Sequence, residues 1–246
     1  MALTVSMPLA LCLPGALLDA AQFVPQHERL RDRIAVEGFD YAAPTFAADG
    51  VFTITGAARL VIERVEREPP DRSIVLCGHS LGGMVAQVAV RELVRAPQPR
   101  SLGLVLLETS YGPTDGAIGR VLIPVVRAML AATPWGVLRR SIVRQHGRYS
   151  DRARTYLQAC LPLAPPPHWR AIVAAALRWN GKDELGAIPV PTLVMVGARN
   201  RATHAQGRTM ADLIPNAELL TVPDAGHMAN LDAPDAVASA ISDLVR

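Results

Sequence analysis

The stretch CGHSLGG (77–83) contains Ser80 with one glycine two positions before it and another two positions after it, the pattern G-x-S-x-G. A serine in this pattern is a nucleophile when it occupies a sharp turn between a strand and a helix, where close backbone approach requires small neighbours. The apolar run SIVLC precedes the motif, and LGGMVAQVAVREL, which is compatible with a helix, follows it. Because both flanks fit, we predict that Ser80 is a catalytic nucleophile and not an incidental serine in a glycine-rich turn.

His227 is the candidate for the general base that such a serine needs. It lies in VPDAGHMANLDAP (222–234), after the last predicted strand and before the last predicted helix, and none of the other five histidines has this placement. His79 adjoins the nucleophile and is expected to pack rather than to act as a base. The remaining histidines are interpreted as peripheral: His27, His146, His168 and His204.

The pattern of apolar residues predicts the elements that must position these groups. Continuous apolar runs, which suit strands buried on both faces of a parallel sheet, lie at 8–13, 73–78, 101–108 and 191–197. Weaker strand candidates lie at 37–44 and 217–223. Helical patterns lie at 20–36, 53–68, 81–95, 205–214 and 233–245. This alternation predicts an α/β fold, a doubly wound and mostly parallel sheet with helices on both faces.

The segment 112–188 interrupts the alternation because it contains no convincing strand. Its helical patterns lie near 117–131, 135–148, 151–160 and 167–179. We predict a helical cap at 112–188, inserted into a core formed by 1–111 and 189–246.

The predicted cap also carries an uneven charge. Residues 113–180 include ten arginines, two aspartates and no glutamate, a formal charge of +8 that leaves −5 for the remainder of the chain. Arg140, Arg144, Arg148 and Arg152 recur every four residues. The interpretation ranked first is a solvated helix face, and the alternative is steering of an anionic substrate or surface.

The overall composition constrains the class of protein. The chain has 246 residues, half of them apolar, and a formal net charge of +3, which gives little reason to expect a nucleic-acid partner. Its three cysteines, Cys12, Cys77 and Cys160, form no metal-binding motif and suit a reduced, cytoplasmic setting. The apolar N-terminus lacks the positively charged start of a signal peptide, and no apolar run is long enough to span a membrane.

The stretches GHSLGG, PTLVMVG and PDAGHMANLDAP resemble the α/β-hydrolase superfamily, and the resemblance extends over nearly the whole chain. It implies a doubly wound sheet, a helical cap between the fourth and fifth strands counted here, and a mechanism that uses a serine, a histidine and an acid. It implies no metal and no organic cofactor. By the same comparison the N-terminus is expected to lack the first strand or two of the usual eight.

The resemblance also indicates an oxyanion hole built from main-chain N–H groups. The N–H of Leu81, directly after the nucleophile, is one predicted donor. The second is the N–H of Ala16, with Leu17 as the alternative, in the loop after the first predicted strand. Pro14 stands there in place of the family's histidine, which changes a side chain but not the main-chain donor.

The acid has two candidates. The commonest family position, after PTLVMVG, holds Asn200, and no aspartate or glutamate occurs between Ala198 and Ala211. An amide oxygen can orient an imidazole, but the change from Asp to Asn in a serine-protease triad costs about 10⁴ in kcat. Asp224 and Asp232 flank His227 and are expected to shape its loop.

Glu108 is the other candidate. It ends the run SLGLVLLE, at the carboxyl end of a predicted buried strand, where ligand sites gather. Its surroundings resemble those of dehalogenases that carry their acid after this strand. Those enzymes use an aspartate nucleophile, which Ser80 cannot replace, so removal of a halide is disfavoured here. A glutamate that merely caps a loop or pairs with an arginine is the alternative. We rank Glu108 ahead of Asn200 and retain both.

These features predict a serine hydrolase that cleaves a carboxylic ester, or a related acyl bond, of a small hydrophobic substrate through an acyl-enzyme. The same residues serve acyl transfer, C–C bond hydrolysis and lyase chemistry. A catalytically silent protein that binds a small ligand is a further alternative, motivated by the missing acid at position 200. The sequence leaves the oligomeric state undetermined.

Overall fold

A computed structural model of the chain describes residues 6–97, 100–113, 124–125, 128–130, 132–164 and 166–245. Its centre is one six-stranded sheet in which every neighbouring pair of strands is parallel. In chain order the strands are β1 Leu9–Leu13, β2 Ala35–Gly38, β3 Ile74–His79, β4 Leu102–Leu107, β5 Thr192–Gly197 and β6 Ala217–Val222. Their spatial order is β2-β1-β3-β4-β5-β6.

The central strands are mostly apolar because they are buried on both faces. In β3, Ile74 and Leu76 belong to the apolar layer on one side of the sheet, whereas Val75 and Cys77 belong to the layer on the other side. The same alternation holds in β1 and β4. The α/β fold class predicted from these runs is therefore confirmed, with a mainly apolar layer on each face of the sheet.

Helices supply the outer wall of each layer. In the described residues the α-helices are α1 Val24–Leu30, α2 Ala42–Asp49, α3 Ile54–Glu66, α4 Leu81–Val94, α5 Trp135–His146, α6 Asp151–Cys160, α7 Pro166–Ala176, α8 His204–Leu213, α9 Ala229–Asp232 and α10 Pro234–Asp243. Helices α3, α4 and α8 contribute buried side chains to one layer, and α1 and α10 to the other. None of the helices in the described ranges is both long and apolar enough to cross a bilayer.

Two predicted elements near the N-terminus were wrong in extent. The helix expected at 20–36 is a 3-10 turn at Ala20–Phe23 followed by α1, and β2 already begins at Ala35. The strand expected at 37–44 ends at Gly38, and α2 follows. Pro44, the last residue of that expected strand, stands in the first turn of α2, where a missing N–H breaks no intrahelical hydrogen bond.

The segment between β4 and β5 contains α5, α6 and α7 at nearly the predicted positions. Most of the helix predicted at 117–131 lies outside the described residues, and the boundaries of the cap at 112–188 stay a prediction. Buried residues of α6 and the loop after it, Ala153, Leu157 and Leu161, pack on Met228 and Leu231. This small apolar cluster fixes the segment to the loop that carries His227.

Candidate active site

Ser80 occupies the turn between β3 and α4 in a backbone conformation that residues other than glycine rarely adopt, with φ 51° and ψ −116°. Its N–H donates to the Leu107 carbonyl at 2.9 Å, which anchors the turn to β4. A side chain at Gly78 would collide with the Gly82 backbone, and one at Gly82 would collide with the Leu13 carbonyl. The two glycines of the motif are therefore required by close backbone approach.

The carboxylate of Glu108 lies completely buried directly after β4, and neutral donors surround it. One oxygen accepts the N–H of Gly197. The other accepts the amide of Asn200 and, at 3.0 Å, the hydroxyl of Thr203. The Nδ1 atom of His227 is 3.4 Å from that second oxygen. The sheet thus brings the ends of β4 and β5 together around a single carboxylate.

Asn200 presents its nitrogen, and not its oxygen, to this cluster. A carboxylate only accepts hydrogen bonds, so the Asn200 atom that faces Glu108 is Nδ2. The same Nδ2 is 3.3 Å from His227 Nδ1. Asn200 was expected to orient His227 through its amide oxygen. That oxygen is not the atom that faces the imidazole.

The loop that carries His227 is held by buried partners on the core side. His79 Nε2 lies 2.7 Å from the main-chain oxygen of His227, which makes Nε2 the protonated nitrogen of that ring. Burial is the main cause that lowers the pKa of His79 well below its usual value, and the nearby His227 acts in the same direction. The His79 ring is therefore neutral and holds the loop; the sequence predicted that it packs, but not this contact with the His227 loop.

The predicted cap holds the same loop from the other side. The Asp232 carboxylate accepts the N–H of Gly226 at 2.9 Å and the hydroxyl of Ser150 at 2.7 Å. The Tyr149 ring packs directly over Gly226, where a larger residue would collide with it. Asp232 thereby links the two parts of the chain through the turn that carries His227.

His146 was interpreted as peripheral, and this was wrong. It ends α5, and its ring centroid lies 4.7 Å from that of His227. Burial is the main cause that lowers the pKa of His146 to about 3, and the nearby His227 and Arg148 act in the same direction. A neutral imidazole thus covers one side of the His227 ring.

Ser80 and His227 line one cavity of about 270 Å³. The described contacts include no hydrogen bond between the Ser80 hydroxyl and the His227 ring, an arrangement common before substrate binds. The cavity wall is otherwise largely apolar and includes Leu138, Ile142, Leu157, Trp169 and Val173. Such a wall suits an uncharged, apolar group.

The loop after β1 borders this cavity with Ala16 and Leu17. The hydroxyl of Tyr41 donates to the Pro14 carbonyl at 2.7 Å, and the Gly15 N–H donates to the Gln22 side chain at 3.1 Å. Leu17 has φ 66°. Within the described part of the chain, no hydrogen bond joins the N–H group of Ala16 or of Leu81 to a protein acceptor.

Comparison with known proteins agrees with this geometry. The model of the alpha/beta hydrolase family matches residues 10–240. The chain belongs to the alpha/beta hydrolase family. Its predicted resemblance to that superfamily is therefore confirmed.

Solved structures share the fold of this alpha/beta hydrolase at low sequence identity. MenH from S. aureus is 21% identical with a TM-score of 0.80, over 99% of this chain and 95% of that one. An enol-lactonase from Burkholderia xenovorans LB400 is 19% identical with a TM-score of 0.74, over 97% and 91%. A thermophilic esterase from Thermogutta terrifontis is 23% identical with a TM-score of 0.71, over 97% and 89%.

Sequence reasoning about this alpha/beta hydrolase missed three supporting residues. Thr203 donates to Glu108, and His204 Nε2 lies 2.9 Å from the carbonyl of Gly197, whose N–H also donates to Glu108. His146 shares a helix face with Leu138 and Ile142, and this four-residue spacing was the available signal. No comparable signal marks Thr203 and His204, because their role depends on where the loop after β5 meets β4.

Proposed function

We propose that this alpha/beta hydrolase cleaves carboxylic esters, or closely related acyl bonds, of small apolar substrates through an acyl-enzyme. Ser80 attacks the carbonyl carbon, and its proton passes to Nε2 of His227. His227 then returns that proton to the leaving alcohol. Water, activated by the same imidazole, releases the acid product. The observation that carries the proposal is that Ser80, on its strained turn, and His227 open onto one apolar cavity.

Glu108 is the group that we assign to orient His227. Its buried carboxylate lies 3.4 Å from His227 Nδ1, and it can both accept a hydrogen bond from Nδ1–H and stabilise the imidazolium formed during the reaction. Asn200 and Thr203 then act as positioning residues, since they donate to the oxygen of Glu108 that faces His227. The amide nitrogen of Asn200 only donates hydrogen bonds, so it cannot accept one from Nδ1–H.

The oxyanion of the tetrahedral intermediate is assigned to the N–H groups of Ala16 and Leu81. Both are main-chain donors beside Ser80, and the N-terminus of α4 adds its favourable dipole. A second cavity, of about 240 Å³, shares Gly15, Leu17 and Leu18 with the first and is also lined by Tyr41, Leu81 and Ile172. Two apolar cavities beside one loop suit the two halves of an ester.

Hydrolysis of 4-nitrophenyl butyrate, combined with labelling by a fluorophosphonate probe, tests the proposal. Wild type is expected to hydrolyse the ester and to be labelled, and Ser80→Ala is expected to lose both, with activity reduced at least ~10³-fold. Ser110→Ala is the matched control and should retain both.

The alternatives give different outcomes in the same experiment. Absence of both labelling and turnover in a folded wild type would favour a protein that only binds a small ligand. Labelling at Ser80 without release of butyric acid would favour acyl transfer to another acceptor, or C–C bond or lyase chemistry.

A further inference from the structure

His146 is a polar side chain in a cavity wall that is otherwise largely apolar. It is the last residue of α5 and lines the cavity that holds Ser80. The two other imidazoles of that wall are engaged by the protein itself, since His79 Nε2 donates to a main-chain carbonyl and His227 Nδ1 faces Glu108. His146 is therefore the imidazole of the described cavity wall that still lacks a role.

Helix α5 brings the two ring nitrogens of His146 to this cavity. Within the described residues, neither nitrogen forms a hydrogen bond with a protein atom. In the same part of the chain, the unpartnered side-chain nitrogens that are fully buried belong to His79, Arg91 and Trp169, and not to His146. A water molecule or a ligand can therefore reach the nitrogens of His146. A neutral imidazole offers such a ligand one N–H donor and one lone-pair acceptor.

His146 also lies beside the group that transfers protons in the proposed reaction. Its ring centroid is 4.7 Å from that of His227, so the two rings are in contact. The ester bond must lie between Ser80 and His227, because Ser80 attacks the carbonyl carbon and His227 protonates the leaving alcohol. A substrate atom that meets His146 is therefore close to the ester bond, and not at the far end of the molecule.

The charge state of the His146 ring decides which substrate group it suits. Burial lowers the pKa of His146 to about 3, so at neutral pH the ring offers no charge to an anion and is a poor proton acceptor. Binding, rather than proton transfer, fits such a ring. A hydroxyl group suits it well, since a hydroxyl can donate to the bare nitrogen or accept from the N–H. A charged group would lack a counter-charge in the apolar wall.

We propose that His146 determines specificity through a hydrogen bond to an uncharged hydroxyl group that the substrate carries close to its ester bond. The preferred substrates are then esters of a hydroxy acid or monoesters of a diol. This inference deepens the proposed hydrolysis and rests on it for the position of the ester, but recognition by His146 does not require Ser80 to react. A ring that only packs against His227 would give no such preference.

Binding to Ser80→Ala, which cannot form the acyl-enzyme, tests recognition apart from catalysis. The Kd values of ethyl butyrate, ethyl 3-hydroxybutyrate and 2-hydroxyethyl butyrate are compared by titrations followed by protein NMR. One of the hydroxylated esters is expected to bind about three- to tenfold more tightly than ethyl butyrate, as for one uncharged hydrogen bond. The ester that is preferred shows which half of the substrate carries the hydroxyl.

A second variant connects this preference to the imidazole. Ser80→Ala/His146→Phe keeps an aromatic ring beside His227 but removes both ring nitrogens, so it should lose the preference. Ser80→Ala/His27→Phe replaces an exposed histidine of α1 outside the cavity, and this control should retain the preference.

Two outcomes would overturn the proposal. One is binding of both hydroxylated esters to Ser80→Ala that is no tighter than binding of ethyl butyrate, and the other is a preference that persists in Ser80→Ala/His146→Phe. Hydrolysis of the three esters by wild type is measured separately, from the acid released. If wild type hydrolyses none of them while Ser80→Ala shows a preference that depends on His146, the proposed hydrolysis fails and recognition by His146 is supported.

Discussion

The loops after β4 and β5 meet at one point of the sheet edge, but they contribute very different groups. The loop after β4 supplies Glu108, a buried carboxylate held in a strained conformation with φ 49°. The loop after β5 supplies Asn200 and Thr203, which only donate to that carboxylate. Because adjacent parallel strands end side by side, an acid on either loop can reach the same imidazole. If Glu108 is the acid, as proposed, its position in space matters more than its position along the chain.

The largest expected loss of activity follows from a change in the loop after β4. Glu108→Gln keeps the shape of the side chain but removes its charge, so kcat/KM for ester hydrolysis should fall by about 10²- to 10⁴-fold. Glu63→Gln, at an exposed glutamate of α3, is the control and should retain wild-type activity. Wild-type activity in Glu108→Gln would remove Glu108 from the proposed mechanism.

Moving the acid to the β5 side gives the next largest effect. In the double variant Glu108→Gln/Asn200→Asp, the new carboxylate stands where an atom of residue 200 already lies 3.3 Å from His227 Nδ1. We expect it to recover about tenfold of the kcat/KM lost in Glu108→Gln, since charge near the imidazolium is restored. Steady-state hydrolysis of the same ester measures this, and no recovery would mean that the two loops are not interchangeable.

A smaller effect is expected from the β5 side alone. Asn200→Ala removes one hydrogen bond to the Glu108 carboxylate and should lower kcat by about three- to tenfold, with little change in KM. Asn200→Asp should be no better than wild type, because its charge would face Glu108. Loss of activity in Asn200→Ala comparable to that of Glu108→Gln would reverse the roles assigned to the two residues.

The smallest effect concerns the pH dependence of stability. His146 has a folded-state pKa of about 3, below the usual value of about 6.5 expected in the unfolded chain. Between these values the unfolded state binds the proton, so stability falls as the pH is lowered from about 6.5 toward 3. Urea unfolding at pH 7 and pH 5 should show a smaller loss of stability for His146→Phe than for wild type. The pKa of His79 is also lowered, so part of the pH dependence of stability should remain in His146→Phe. An equal loss of stability between pH 7 and pH 5 in both proteins would contradict this role of His146.

The sheet could be predicted from the sequence because β1, β3, β4 and β5 are buried on both faces and therefore consist largely of consecutive apolar residues. Strand β2 is short and half-buried, so its pattern is weak, and its expected boundaries were wrong. Most of the helices expected after 112 could be placed, but their packing over the sheet could not. That packing brings His146 to His227, and it depends on contacts between residues distant in the chain.

The candidate site was predictable where its geometry is local. The turn at Ser80 requires glycines at fixed positions, and those glycines are visible in the sequence. The acid was ambiguous because Glu108 and Asn200 lie 92 residues apart and meet only through strand pairing. Thr203 contacts Glu108 for the same reason, and no local pattern marks it.

The hydrogen bond between His227 and Glu108 can be observed directly by proton NMR of the resting protein with labelled histidine nitrogens. A proton on His227 Nδ1 that is held by the carboxylate should give a resonance downfield of the amide region, and His227→Gln should remove it. If Glu108 orients His227, the resonance is lost in Glu108→Gln and persists in Asn200→Ala. A resonance that survives in Glu108→Gln and disappears in Asn200→Ala would contradict the assignment of Glu108.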